Sequence, residues 1–144
     1  MRKLLVYERM TPDPITVSAD TLLSDACCTM VDHEIRRLPV VEDGKLVGIL
    51  TWSDVRGTLP ADACSSDIFA RDDIGETTRV GEIMTRDPVT LTPLSTIDQA
   101  AQIMLDHKIG TLPVVLDGSV LGIITETDLF RILVTETAGW SARI

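Results

Sequence analysis

Apolar residues recur at two different spacings along the chain, and the order of these spacings is the same in its two halves. Apolar residues that follow the Asp-Pro pairs at 13–14 and 87–88 predict a short strand. Next comes a stretch with apolar residues at helical spacing, and then two β-branched stretches joined by Asp-Gly, which favours a tight hairpin. A second helical stretch begins near Ser53 and again near Glu126. Each half is therefore predicted to be β-α-β-β-α.

The two halves are copies of one another. Val6–Asp54 aligns with Val80–Asp128 without a gap, and a little under half of the paired residues are identical. Two copies are too few for a solenoid, so each copy is expected to cover the apolar face of the other. We expect an α/β (α+β) fold of two pseudo-twofold-related repeats packed sheet against sheet. The predicted segments are repeat 1 at 1–56, a linker at 57–79, repeat 2 at 80–136 and a C-terminal tail at 137–144.

Composition favours a globular protein that works in the cytoplasm. A chain of 144 residues is long enough to bury a substantial core. Its N-terminal apolar run is too short for a signal peptide, and no stretch approaches the roughly 20 apolar residues of a membrane span. The 13 basic and 22 acidic residues give a net charge of −9, which opposes binding to nucleic acid or to an anionic membrane.

Familiar catalytic motifs are missing from the sequence. It contains no GxSxG, HExxH, P-loop or GxGxxG pattern. His33 and His107 lie at matching places near the ends of the first helices, where an imidazole interacts favourably with the helix dipole and needs no metal. No third ligand has a suitable spacing, so we expect neither a metal site nor an enzyme.

Five elements occur in the same order in both halves: Met-Thr-x-x-Pro, Asp-His, Leu-Pro-Val-Val, Asp-Gly and Gly-h-h-Thr-x-x-Asp, where h is aliphatic. Together they resemble the tandem cystathionine β-synthase (CBS) domain pair, also called a Bateman module. The resemblance covers Val6 to about Val134 and is to a stand-alone pair. It implies a regulatory module that senses AMP, ADP or ATP in the cleft between its repeats, with S-adenosylmethionine less favoured. The regulated protein is unknown.

The two Thr-x-x-Asp elements, Thr51 with Asp54 and Thr125 with Asp128, have two interpretations. One is a helix N-cap with an acidic residue in the first turn. The other is a ligand site, because a carboxylate can accept hydrogen bonds from both hydroxyls of a ribose. The resemblance implies that role for the aspartates, with the threonines beside the sugar or phosphate. If the elements are only caps, the chain is a ligand-free scaffold or homo-oligomerisation module. The resemblance also implies a homodimer formed through the helices.

Basic residues differ between the two halves at the start of the first hairpin strand. Arg36 and Arg37 lie where nucleotide-binding members of the family carry cations for phosphate, and a guanidinium fork suits phosphate. They could equally be surface charges at a helix end. Gly110 and Thr111 replace them in the second half, so the two sites are expected to be unequal. The adenine base is expected against apolar residues at the strand beginnings, which would also suit a core: Ile15, Val17, Leu38, Pro39, Val89, Leu91, Leu112 and Pro113.

Overall fold

The computed structural model describes the backbone of residues 3–59 and 77–141, with side chains described as far as Thr137. Five helices, a short 3-10 helix and six strands lie in these ranges. The strands are β1 (Thr11–Pro12), β2 (Arg37–Glu42), β3 (Lys45–Thr51), β4 (Thr85–Arg86), β5 (Thr111–Leu116) and β6 (Ser119–Thr125). The helices are α1 (Leu23–Asp32), α2 (Trp52–Thr58), α3 (Val80–Ile83), α4 (Ile97–His107) and α5 (Glu126–Ser141), and the 3-10 helix is Val6–Glu8.

The chain forms two compact units, one of which is built from two separate stretches. Unit 1 comprises Met1–Asp13 and Val89–Ile144, and unit 2 comprises Pro14–Pro88. The opening strand of each repeat therefore pairs with the hairpin of the other repeat, β1 with β6 and β4 with β3. The sequence analysis did not predict this exchange. The openings at 6–13 and 80–87 are identical at five of eight positions, and their shared motif does not specify which hairpin they join.

Unit 2 contains a three-stranded sheet in the order β2-β3-β4. Strands β2 and β3 are antiparallel, with Arg37 opposite Thr51 and Leu38 opposite Leu50. Because neighbouring residues of a strand point to opposite faces, Leu38 and Leu50 lie on the face that packs against the helices, and Arg37 and Thr51 lie on the other face. The buried apolar cluster on the helix face consists of Leu23, Ala26, Cys27, Met30, Leu38, Val40, Leu50, Val55, Leu59, Val80 and Met84.

Unit 1 repeats this plan in a sheet of order β1-β6-β5. Thr111 lies opposite Thr125, and Leu112 lies opposite Ile124. Val6, from the opening segment, is fully buried with the core of this unit. Its buried cluster consists of Val6, Leu91, Ala100, Met104, Leu112, Val114 and Ile124.

The strands predicted directly after the Asp-Pro pairs are reduced to single bridging residues. Val17 forms a parallel bridge with Val40, and Leu91 does so with Val114. Around the first bridge, the Val17 N–H donates to the Pro39 carbonyl at 3.1 Å and the Val41 N–H donates to the Val17 carbonyl at 2.8 Å. Pro39 has no N–H to donate, which limits the length of the ladder at this position.

Glycines in the second hairpin strands allow the opening strands to cross closely. A Cβ built on Gly48 would lie 2.6 Å from Met84 Sδ and 2.8 Å from the Thr85 carbonyl oxygen. A Cβ on Gly122 would meet Met10 Sδ at 2.5 Å and the Thr11 carbonyl oxygen at 2.8 Å. In each unit, the glycine of Gly-h-h-Thr thus contacts the methionine of Met-Thr-x-x-Pro: Gly48 with Met84 in unit 2, and Gly122 with Met10 in unit 1.

The C-terminal helix extends past residue 136, where the second repeat was predicted to end. Helix α5 continues to Ser141, so the described part of the predicted tail at 137–144 is helical. Residues 142–144 lie outside the described residues, as does 60–76 within the predicted linker. In the ranges that are described, no helix combines the length and apolar character needed to cross a membrane.

Candidate functional site

The unit 2 junction is the turn from β3 into α2, where Thr51 and Asp54 lie. Thr51 Oγ1 accepts a hydrogen bond from the Asp54 N–H at 3.1 Å, and Asp54 Oδ2 accepts one from the Thr51 N–H at 3.0 Å. These reciprocal bonds form a capping box. Asp54 Oδ1 accepts no hydrogen bond from the described residues, and the side chain is half-buried. The capping interpretation is confirmed here, and it occupies one of the two carboxylate oxygens.

The unit 1 junction is the turn from β6 into α5, where Thr125 and Asp128 form the same cap. The Asp128 carboxylate makes more contacts than the Asp54 carboxylate does. Asp128 Oδ2 accepts hydrogen bonds from the Thr125 N–H at 2.8 Å and from the Thr125 hydroxyl at 3.1 Å. The Asp128 N–H donates back to Thr125 Oγ1 at 3.3 Å. Asp128 Oδ1 lies 4.0 Å from Arg131 Nη1. The cap therefore holds Asp128 Oδ2, while Oδ1 faces an exposed cation at the limit of ion-pair distance.

The two candidate phosphate-binding arginines lie on different sides of the unit 2 sheet. Arg37 is directly opposite Thr51, so the two side chains share a face. It is half-buried and makes no hydrogen bond or ion pair with the described residues. Arg36 is exposed and lines a pocket of about 390 Å³ on the helix side, together with Met30 and Trp52. Both arginines therefore adjoin the unit 2 junction: Arg37 shares the sheet face of Thr51, and the Arg36 carbonyl accepts a hydrogen bond from the Trp52 N–H at 2.7 Å at the start of α2.

The corresponding positions of unit 1 carry no cation. Thr111 lies opposite Thr125 and its residue surface is only 7% exposed. The exposed Glu126 side chain lies over Gly110, so a carboxylate stands near this position where unit 2 has Arg36. The inequality of the two halves that the sequence predicted thus corresponds to a difference in what surrounds each Thr-x-x-Asp element.

The apolar residues predicted as a base pocket divide between the two faces of each sheet. Leu38 and Leu112 are fully buried in the helix-side cores, and Leu91 belongs to the unit 1 core. Leu38 and Leu112 therefore pack behind their sheets, on the faces away from Arg37 and Thr111. Leu91 is 4% exposed and lines a cavity of about 400 Å³. The base-pocket role of all three stays a prediction. The remaining candidates are two prolines buried on the face that carries Arg37 or Thr111, two half-buried valines and one exposed isoleucine: Pro39, Pro113, Val17, Val89 and Ile15.

Both histidines lie at helix ends. His33 is the C-cap residue of α1, and its Nδ1 is 3.1 Å from the Thr29 carbonyl oxygen. His107 is the last residue of α4 and is exposed. Within the described ranges, no group of three or more metal-binding side chains comes together.

An apolar groove of about 710 Å³ lies between α4 and α5 of unit 1 and was not predicted as a site. Leu105 and Phe130 line it and are 73% and 61% exposed, and Leu133 contributes a further exposed side chain. The sequence did contain a signal. Residues 129–134 read LFRILV, with five apolar residues in six positions, which is more than the single buried face of an amphipathic helix requires.

Comparison with known families identifies the repeat. A family model described as the CBS domain matches the chain twice, at residues 6–61 and 80–135. A CBS domain-containing protein of Dictyostelium discoideum is 34% identical over 135 residues, which cover 92% of this chain and 92% of that protein. Some other relatives are longer, and the chain spans 46% of one and 22% of another.

Two solved structures resemble the chain over almost its whole length. The CBS domain pair of protein MJ0100, in complex with 5′-methylthioadenosine and S-adenosyl-L-methionine, has a TM-score of 0.76 and 30% identity, covering 94% of this chain and 99% of that one. CBSX2 of Arabidopsis thaliana, in complex with AMP, has a TM-score of 0.78 and 26% identity, covering 93% and 99%. The predicted fold class and the resemblance stated from the motifs are both confirmed.

Proposed function

The chain belongs to the CBS domain family, and from this premise we propose that it is a regulatory module that binds an adenosyl ligand through its Thr-x-x-Asp junctions. CBS domain pairs are regulatory, non-catalytic modules. Two related structures contain adenosyl compounds, AMP in one and 5′-methylthioadenosine with S-adenosyl-L-methionine in the other. Those ligands belong to the related proteins, and their common adenosine group defines the ligand class proposed here.

The observation that carries the proposal is that Asp54 keeps one carboxylate oxygen free of the helix cap. Its Oδ2 is held by the Thr51 N–H at 3.0 Å, while Oδ1 accepts nothing from the described residues. The cap therefore fixes the orientation of the carboxylate and leaves one oxygen for an incoming donor. A ribose supplies two adjacent hydroxyls that can donate to such a carboxylate. A hydrogen bond to a charged group contributes about 1.5–3 kcal/mol, enough to make this residue a main source of affinity.

AMP, ADP and ATP are the preferred ligands because Arg37 lies beside this junction. Its guanidinium has no partner among the described residues and suits a phosphate geometrically. S-adenosylmethionine would share the ribose contact but has no phosphate for Arg37. Binding regulates a partner only if the ligand has different affinities for two conformational states of the module. The partner itself is identified by neither the motifs nor the relatives.

The proposal is tested by separating ligand binding from helix capping. Asp54→Ala should lower the unfolding free energy by about 1 kcal/mol, as the loss of a cap does, and should also weaken AMP binding at least tenfold. Isothermal titration calorimetry measures the binding. Gln99→Ala is the matched control, because Gln99 Oε1 accepts from the Thr96 N–H at 2.9 Å in the equivalent cap of α4. It should cost similar stability and leave AMP binding unchanged.

A thermal-shift measurement provides a simpler first test. Ligand at about 100 times its dissociation constant adds roughly 2.7 kcal/mol of stability, which corresponds to several degrees for a protein of this size. Equal loss of AMP affinity in Asp54→Ala and Gln99→Ala would mean that Asp54 acts only as a cap.

The groove between α4 and α5 favours a second candidate function, which is self-association. Leu105, Phe130 and Leu133 expose large apolar surfaces side by side there, and such a patch on a monomer marks an interaction site. We propose a second copy of this chain as its occupant. The homodimer expected from the family resemblance is formed through helices, and α4 and α5 expose apolar side chains along this groove. Dimerisation and ligand binding use different residues, so the two functions are compatible.

A further inference from the structure

A cavity of unit 2 lies on the helix side of its sheet, where α1 ends and α2 begins. Its volume of about 390 Å³ is within the range of small-molecule sites. Met30 lines it and is buried in the core, and the half-buried Ile35 and Trp52 pack on the same core. Val31, which is 50% exposed, lies at its edge. The interior of this cavity therefore suits one apolar side chain of a ligand.

Two opposite charges stand beside this apolar interior. Glu34 and Arg36 both line the cavity, and both are exposed. No ion pair joins them to each other or to another residue that the structure describes. A zwitterion with an apolar group matches this set of residues. Its ammonium group can donate to the carboxylate, and its own carboxylate can accept from the guanidinium fork.

The backbone fixes the positions of both charged residues. The Ile35 N–H donates to the Met30 carbonyl at 2.9 Å, which closes the turn after α1 as in a Schellman motif. Glu34 has a φ of 54° in this turn, at a position that favours glycine. The Arg36 carbonyl accepts a hydrogen bond from the Trp52 N–H at 2.7 Å. Because the walls of the cavity are held in this way, a ligand has less of the protein to order when it binds.

The matching place in unit 1 lacks this combination of residues. The residues aligned with Glu34, Arg36 and Trp52 differ in charge and shape and are, in order, Lys108, Gly110 and Glu126. Lys108 and Glu126 line the larger apolar groove between α4 and α5. The cavity flanked by a carboxylate, a guanidinium and an indole is therefore a feature of unit 2.

From these features we propose that unit 2 binds a free α-amino acid with an apolar side chain, in the size range of leucine, methionine and phenylalanine. The side chain packs on Met30 and Trp52, the ammonium group donates to Glu34, and the α-carboxylate accepts from Arg36. This ligand class goes beyond the proposed function. The cavity is on the helix side of the sheet, whereas Arg37 is on the other face, so the amino acid and the adenosyl ligand contact different side chains.

Isothermal titration calorimetry of the full chain with L-leucine, L-methionine and L-phenylalanine tests the proposal. At least one of them should bind at one site per chain with a Kd of about 1 mM or tighter, as expected for so small a ligand. N-acetyl-L-leucinamide keeps the leucine side chain but lacks both charges, and it should bind at least about tenfold more weakly than leucine. Trp52 supplies an optical signal. In Trp140→Phe it is the only tryptophan, and its emission should change with the same Kd.

Four variants locate the site. Glu34→Gln and Arg36→Ala should each weaken amino-acid binding about three- to tenfold, because exposed charges contribute modestly. Arg56→Ala is the matched control, since Arg56 is exposed on α2 but does not line the cavity, and it should bind as wild type does. Val31→Trp should fill the cavity from its exposed edge, abolish amino-acid binding and leave AMP binding unchanged.

The inference is overturned if none of the three amino acids produces binding heat or a change in Trp52 emission. Equal binding of N-acetyl-L-leucinamide and leucine would overturn it as well, because the charges would then have no role. Amino-acid binding that persists in Val31→Trp would show that the ligand occupies another place. AMP is titrated separately, so each of these results leaves the proposed function standing, and failure of AMP to bind wild type would reject the proposed function alone.

Discussion

The Gly48→Ala substitution is expected to destabilise unit 2, because β4 crosses Gly48 with no room for a methyl group. The added Cβ would lie 2.6 Å from Met84 Sδ and 2.8 Å from the Thr85 carbonyl oxygen. A thioether is flexible and can turn aside. The carbonyl is backbone, and β4 is paired with β3 at this point through Gly48–Arg86 and Ile49–Thr85. Relief therefore requires that the short strand move away and weaken its own pairing.

Two opposing effects determine the magnitude for Gly48→Ala. Overpacking a well-filled site costs about 1–3 kcal/mol, with larger values where backbone must shift. Alanine also restricts the unfolded chain, which returns about 0.4–1 kcal/mol where the native conformation is compatible. Because the Thr85 carbonyl is backbone, the upper part of the first range applies, and the net loss should be about 1–2.5 kcal/mol. For a domain of this size it corresponds to a fall in Tm of roughly 3–9 °C.

Thermal and urea unfolding followed by circular dichroism measure the effect of this substitution. Gly122→Ala should behave in the same way, since its Cβ would meet Met10 Sδ at 2.5 Å. Gly57→Ala is the control: this residue is in α2, and a Cβ there would meet nothing within 4 Å. Alanine in a helix should stabilise it by about 0.5–1 kcal/mol. A Gly48→Ala protein as stable as wild type would refute the close crossing.

Two further substitutions test the division into units and the groove. Val6→Ala should lower the unfolding free energy in urea by about 1–3 kcal/mol, because Val6 is fully buried in the unit 1 core. Val31→Ala, at a half-exposed position of α1, is the control and should change it by less than about 0.5 kcal/mol. Equal effects of the two substitutions would argue against burial of the opening segment. Phe130→Lys should shift the sedimentation coefficient from that of a dimer to that of a monomer, because Phe130 lines the groove. Leu94→Lys, at an exposed position outside the groove, should leave the dimer intact. A wild-type protein that is monomeric at all concentrations would exclude the proposed self-association.

The hairpins and the first helices could be predicted because several local signals agree there. Strand β2, the Asp43-Gly44 turn and β3 combine β-branched residues with a dipeptide that tolerates positive φ, and both turn residues do adopt it, at 48° and 76°. The exchange of opening segments could not be predicted, because the motif that the two openings share gives no local reason to prefer one hairpin. In the structure, Val6 packs with one core and Val80 with the other.

Within the candidate site, the motifs located the residues along the chain but did not fix the face of the sheet on which each lies. Arg36 precedes β2 and lines the helix-side pocket, whereas Arg37, the first residue of β2, lies opposite Thr51. Within the strand, Leu38 and Pro39 point to opposite faces. The register of β2 against β3 decides which residue of β2 joins Thr51. Register depends on both strands and the turn, so it was not available from the motif alone.

A crystal structure of the full chain with AMP tests the central claim most directly. The account predicts that a ribose hydroxyl lies within hydrogen-bond distance of Asp54 Oδ1, about 2.5–3.0 Å, and that the phosphate lies against the Arg37 guanidinium. A structure in which AMP is bound away from both residues, with the Asp54 carboxylate contacting only its own helix cap, would contradict it.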